Sequence, residues 1–355
     1  MNSKLIPPAS TSPNRRSFIK KVSAAALAVS FVPYIKAQDK AGTKNPILGS
    51  GEHTYECIHD WGELPSAYKY GNTHGVCEDA QGRIYIKHTV GKGSEKDDAI
   101  IVFDDKGKFV KSWGAEFKGG AHGLHLSKED NKEFLYLCDT SRKLAVKTTL
   151  DGEVIWSLGV PDVSGLYNSS KEYTPTNIAV APNGDFYVAD GYGKSWIHQY
   201  NKKAEYIRSF GGNGKDRGQT SCPHGLMVDT RESKPTLVVA DRSNHRLQYF
   251  SMEGHPIKLV TDELRAPCHF HTRGDVLLIP DLDSRVTLFD KQNKLITHLG
   301  EGDVAHYREI RSKPREAFTA GQFVAPHSAY FDHSGNIFVV EWVEVGRVTK
   351  LRKIA

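Results

Sequence analysis

One unit recurs six times along this chain, and that recurrence limits the fold more than any other feature of the sequence. The clearest copy spans 174–212. Pro175-Thr176-Asn177-Ile178-Ala179-Val180 starts a strand and Asn183-Gly184-Asp185 makes a turn, with further strands at 186–190, 196–200 and 206–211. Alternating apolar and polar residues between Gly, Asn and Asp turns read as four antiparallel strands. Copies start at His74, His122, Thr176, His224, Cys268 and His327, 44 to 59 residues apart. Four of them close on Trp113-Gly114, Leu158-Gly159, Phe210-Gly211 and Leu299-Gly300. A four-stranded unit of this length cannot bury both faces alone, so six copies predict an all-β, six-bladed β-propeller. The last copy has three strands. Tyr55-Glu56-Cys57-Ile58-His59-Asp60-Trp61-Gly62 has the form of the missing fourth and is expected to close the ring, removing the sheet edge that the chain ends would leave. The expected organisation is one domain at 55–355, a flexible leader at 38–54, and a charged loop at 301–323 between the last two blades.

Histidines mark the repeat. His74, His122, His224 and His327 open Thr73-His74-Gly75-Val76, Ala121-His122-Gly123-Leu124, Pro223-His224-Gly225-Leu226 and Pro326-His327-Ser328-Ala329. Closing a repeat into a ring carries equivalent positions to one height and radius. Imidazoles far apart in sequence then meet near the axis, where neutral nitrogens can bind a metal ion. The alternative is a set of hydrogen-bonded channel residues. His269 and His271 follow Pro267-Cys268 in the fifth copy, whose first strand is short, so whether either reaches the axis stays open. His125, His245 and His298 have no repeat equivalents.

The formal net charge is +5. Residues 1–37 hold six basic side chains and no acidic one, and the remainder of the chain carries a net charge of −1. Nothing in that balance suggests a nucleic-acid surface. Asn14-Arg15-Arg16-Ser17-Phe18-Ile19-Lys20 precedes a short apolar run from Val22 to Val32, with a small residue at Ala37. This is the pattern of a cleaved export signal, too short for a membrane anchor, and it is similar to twin-arginine signals. The expectation is export to a bacterial periplasm or outer surface with no anchor after processing. Five widely spaced cysteines give neither a disulfide framework nor a Cys-x-x-Cys knuckle.

Val239-Ala240-Asp241-Arg242-Ser243-Asn244-His245-Arg246-Leu247-Gln248-Tyr249-Phe250 resembles an NHL repeat. The order His122-Gly123-Leu124, Asp190-Gly191-Tyr192, Pro223-His224, Ala240-Asp241-Arg242 and Pro326-His327 resembles the propeller of the peptidyl-α-hydroxyglycine α-amidating lyases. That resemblance implies zinc held by His122, His224 and His327, with Tyr192 as catalytic base and Arg242 beside the site. His74 is a fourth candidate ligand, at a position where those lyases have a small residue. Departures accompany the likeness. Thr89, beside His88, stands where they carry a catalytic arginine, and Ser328 replaces an aspartate that binds their structural calcium, so calcium is not expected. Gly193 and Tyr249 occupy two of their cysteine positions.

The implied reaction collapses an N–C–OH carbon to an amide and an aldehyde, on a small-molecule or peptide substrate, in a monomer. A tyrosine can take the hydroxyl proton only if a nearby cation lowers its pKa of about 10. An arginine fork suits a substrate carboxylate. Two other readings stay open at this point: a non-catalytic NHL scaffold, and a lactonase-type six-bladed hydrolase. The histidine-rich inner positions argue against the second. Arg246 reads as structural.

Overall fold

The computed structural model of the protein describes residues 45–354. The export signal expected over 1–37 lies outside the described residues. Five four-stranded antiparallel sheets and one five-stranded sheet make the six blades of a β-propeller. The inner strands are Thr73–Glu78, Ala121–Glu129, Asn177–Val180, Pro223–Asp229, His271–Arg273 and Pro326–Phe331.

Alternation explains why flat sheets stack radially. In blade 1, Tyr85 and Val102 pack with Leu124 and Leu135 of blade 2. Ile84, Ile86 and Ile101, on the opposite face, pack with Phe338, Val340 and Val348 of blade 6. The core is therefore a series of wedges between neighbouring blades, each fully buried aliphatic side chain contributing about 1.5–3 kcal/mol.

Closure follows the expected route. Arg347–Lys353 of blade 6 pairs with His53–His59, in register Tyr55↔Lys353 to His59↔Thr349. The leader differs from expectation. Ile47–Ser50 pairs antiparallel with the strand that follows it and adds a fifth, outermost strand to blade 6. Leu48 packs against the core shared by blades 5 and 6, which gives this segment a reason to be ordered.

An acidic residue ends or directly follows the second strand in five blades: Asp139, Asp190, Asp241, Asp281 and Glu341. Each accepts backbone N–H groups of nearby loops, for example Arg142 N (2.9 Å), Thr174 N (2.6 Å), Ser221 N (2.6 Å), Arg265 N (2.7 Å) and Val324 N (2.7 Å). Arg246 pairs with Asp241 at 2.7 Å, the structural role expected of it. In blade 1 the position falls to His88, whose Nδ1 accepts the N–H of Val90 at 3.0 Å. The 301–323 segment is not a bare loop. It carries the helical turn Tyr307–Ile310 and the 3-10 turn Arg315–Ala317, and Tyr307 is buried with Leu282, Ala325 and Val343. Among the described residues no helix is long and apolar enough to cross a membrane.

Candidate metal centre

Each of the four repeat histidines sits at an irregularity of its inner strand. The pairing register shifts between Thr73 and Gly75, Ala121 and Leu124, Pro223 and Leu226, and Pro326 and Ser328. A bulge re-aims the side chain it carries, here toward the axis. The glycine after the histidine allows the strand to approach its neighbour: a Cβ on Gly123 would lie 2.4 Å from Thr176 O, and one on Gly225 would lie 2.4 Å from Cys268 O. Blades 3 and 5 carry Thr176 and Cys268 at this position, and their backbone carbonyls accept from the histidines of blades 2 and 4.

The imidazoles converge. Ring centroids lie 4.8 Å apart for His122–His224, 4.8 Å for His122–His327, 4.7 Å for His224–His327 and 4.4 Å for His74–His327. Three of the four are fixed in orientation by backbone carbonyls. His122 Nδ1–H donates to Thr176 O (2.7 Å), His224 Nδ1–H to Cys268 O (2.9 Å) and His327 Nδ1–H to His74 O (2.8 Å). In a neutral ring this leaves an Nε2 lone pair facing inward, the arrangement found around metal-bound histidines. Burial holds the His122 pKa down to about 3, and holds His74, His224 and His327 well below the usual histidine range. The rings are thus neutral and ready to act as ligands.

A buried histidine trio could hold a metal ion. Ligand atoms of His74, His122 and His327 all lie within 4.8 Å of one another. The expected trio had His224 in place of His74. By ring position His224 is equally close, but its Nε2 is engaged by the Tyr192 hydroxyl at 2.9 Å, and the same hydroxyl lies 3.1 Å from His122 Nε2. A phenol has one proton and cannot satisfy two imidazole lone pairs. That shortage of donors is what a cation would relieve.

Tyr192 enters from the loop after the second strand of blade 3. The residue is 42 % exposed and lines a cavity, while its hydroxyl is inserted between the two imidazoles. Burial pushes its pKa up to about 12, against the pull of Arg242. The Arg242 Nη1 lies 3.4 Å from the Tyr192 hydroxyl, and the guanidinium lies 5.3 Å from the ring centroid. Arg242 also reaches Cys222 Sγ at 3.2 Å. The cavity has a volume of about 340 Å³, with His327, Tyr192 and Arg242 lining it beside Tyr307, Arg308 and Trp342.

Tyr192, Arg242 and all four histidines of the repeat therefore share one site. Thr89 brings no charge to it. His269 is buried one residue past the repeat-histidine position, where its Nδ1 faces Ser328 Oγ at 3.3 Å, and His271 stacks on Tyr330 with centroids 3.6 Å apart. Neither joins the cluster. Sequence reasoning missed the cavity walls from the 301–323 segment and Trp342. It also missed Lys87, a fully buried lysine that donates to Gly123 O (3.1 Å) and Cys138 O (2.8 Å). A lysine within the apolar run 84–88 was the available signal.

Fold and site together define a six-bladed β-propeller with a buried histidine cluster under an open cavity. The chain resembles the peptidyl-α-hydroxyglycine α-amidating lyases. Peptidyl-alpha-hydroxyglycine alpha-amidating lyase 1 of Drosophila melanogaster is 29% identical over 212 residues, 51% of this chain and 38% of that protein. Peptidyl-glycine alpha-amidating monooxygenase B of Xenopus laevis is 30% identical over 181 residues, 49% of this chain and 20% of that protein. The chain thus spans less than two fifths of either relative. Streptogramin B lyase shares the fold, with a TM-score of 0.57 at 12% identity, over 83% of this chain and 97% of that one. No protein-family model matches the chain.

Proposed function

We propose that the protein is an exported, monomeric, zinc-dependent lyase that cleaves a carbinolamide to an amide and an aldehyde. With an α-hydroxyglycine substrate the aldehyde is glyoxylate. The observation that carries this reading is the Tyr192 hydroxyl, set between His122 Nε2 and His224 Nε2 with Arg242 behind it. His122, His224 and His327 would hold the ion, and their carbonyl-bound Nδ1 atoms fix the rings for that task. A bound dication would supply Lewis acidity toward the substrate hydroxyl and lower the pKa of nearby acids. Tyr192, as phenolate, takes the hydroxyl proton. The C–N bond breaks as the C–O bond becomes a carbonyl, and Tyr192 returns the proton to the departing amide nitrogen. Arg242 would hold the phenolate and, as part of the cavity lining, meet a substrate carboxylate there. The cavity admits a small molecule or the end of a peptide. Nucleic acid has no place in this reading.

Thr89, which brings no charge to the site, favours a second reading: a non-catalytic NHL scaffold whose cavity binds a ligand. Incubating metal-loaded protein with an α-hydroxyglycine amide separates the two. Glyoxylate release that falls about 10²–10⁴-fold in Tyr192→Phe supports the lyase; no release by fully loaded wild-type protein refutes it.

A further inference from the structure

We infer that His74 is a fourth ligand of the proposed ion, so that the site is built from four imidazoles. This rests on the metal-site reading above and goes beyond its three ligands. His74 is buried, and its Nδ1 lies 3.3 Å from His327 Nε2. Because His327 Nδ1–H is committed to a carbonyl, its Nε2 presents a lone pair to His74. The two nitrogens are within reach of a long hydrogen bond. Their spacing also matches the edge of a tetrahedron with metal–nitrogen bonds of 2.0–2.1 Å, about 3.3 Å. His74 also forms, with His122 and His327, a group whose ligand atoms all lie within 4.8 Å of one another.

Its backbone is pinned for this role. Thr73 Oγ1 donates to Glu341 O (2.8 Å), and the N–H of Glu341 donates back to Thr73 Oγ1 at 2.9 Å. The strand that carries His74 is thereby tied to blade 6, which carries His327. His74 is thus placed to act twice, through its own nitrogen and through the carbonyl that orients His327.

Donor counting points the same way. Three inward Nε2 lone pairs, on His122, His224 and His327, face one Tyr192 O–H and at most one N–H from His74. One lone pair has no donor, whichever tautomer His74 adopts. Four neutral nitrogens around one cation leave none unpaired. Such a site carries no anionic ligand, and the substrate hydroxyl of the proposed reaction would enter as a fifth ligand.

X-ray absorption of the zinc-loaded protein, and the visible spectrum of the Co(II)-loaded protein, test this directly. Wild type is expected to show four imidazoles. His74→Ala is expected to show three imidazoles plus one oxygen, an altered Co(II) spectrum, and tighter azide binding at the opened position. Its metal affinity should fall by more than the roughly 10–100-fold typical of losing an outer-shell partner. His269→Ala, which removes a buried imidazole outside the cluster, should leave affinity and spectrum unchanged. Three imidazoles in wild type, with His74→Ala indistinguishable from it, would overturn the four-ligand site and leave the three-ligand reading standing. A wild-type protein that binds no metal would overturn both.

Discussion

The glycine after His122 couples the packing of the ring to the geometry of the site. A Cβ at Gly123 would lie 2.4 Å from Thr176 O and 2.9 Å from Asn177 Cα. Relief to an ordinary C···O contact of about 3.3 Å requires blades 2 and 3 to part by roughly 0.9 Å. The same carbonyl accepts Gly123 N–H at 3.1 Å and His122 Nδ1–H at 2.7 Å, so the movement stretches both bonds. Overpacking costs about 1–3 kcal/mol, and a weakened hydrogen bond adds about 1 kcal/mol. Gly123→Ala should therefore lose roughly 2–4 kcal/mol of unfolding free energy in urea melts of metal-free protein. Freeing His122 from its carbonyl should also lower metal affinity by about 10–100-fold in a chelator competition titration. Gly159→Ala is the control. Its nearest neighbour would be Leu144 Cδ2 at 3.9 Å, and its stability should stay within about 0.5 kcal/mol of wild type. If Gly123→Ala lost stability but kept full metal affinity, the carbonyl would not be what orients His122. If it lost neither, the packing argument itself would fail.

Other perturbations have defined outcomes. Tyr192→Phe should retain the metal and lose about 10²–10⁴-fold in turnover, read by glyoxylate release against metal content. Arg347 and Glu341 form a buried ion pair in the closing blade. Arg347→Ala strands that carboxylate and should cost about 3–5 kcal/mol in a urea melt. Acid should destabilise the metal-free protein. His88, His122, His198 and His269 are neutral in the fold with pKa values near 3, and each takes up a proton on unfolding below pH 6.5. Buried Asp190 and Asp281, raised to about 6, act in the opposite direction between about pH 4 and 6. The unfolded chain still binds more protons, so stability rises with pH by about 3 kcal/mol per unit near pH 5 from these six groups. Urea midpoints that are flat from pH 7 to pH 5 would contradict this.

The repeat made the ring readable because alternation and turn chemistry are local, and the closing strand was found from its Trp-Gly ending. The four histidines were found by register alone. Their bulges were not, since a register shift exists only between paired strands. The fifth blade resisted because its inner strand shortens to His271–Arg273, so counting from Cys268 did not say which histidine faces inward. The cavity wall was illegible for another reason. Tyr307 and Arg308 come from a segment with no repeat equivalent, and only docking on Leu282, Ala325 and Val343 places them over the site. The outermost strand, Ile47–Ser50, was read as leader because four short residues carry no pattern until they find a partner.

The metal content of the purified protein, measured by mass spectrometry after metal-replete expression, tests the central claim most directly. The account predicts about one zinc per chain, lost when His122 and His224 are both replaced by alanine in a variant that remains folded. A wild-type protein carrying no transition metal, or a double variant that keeps its full complement, would contradict it.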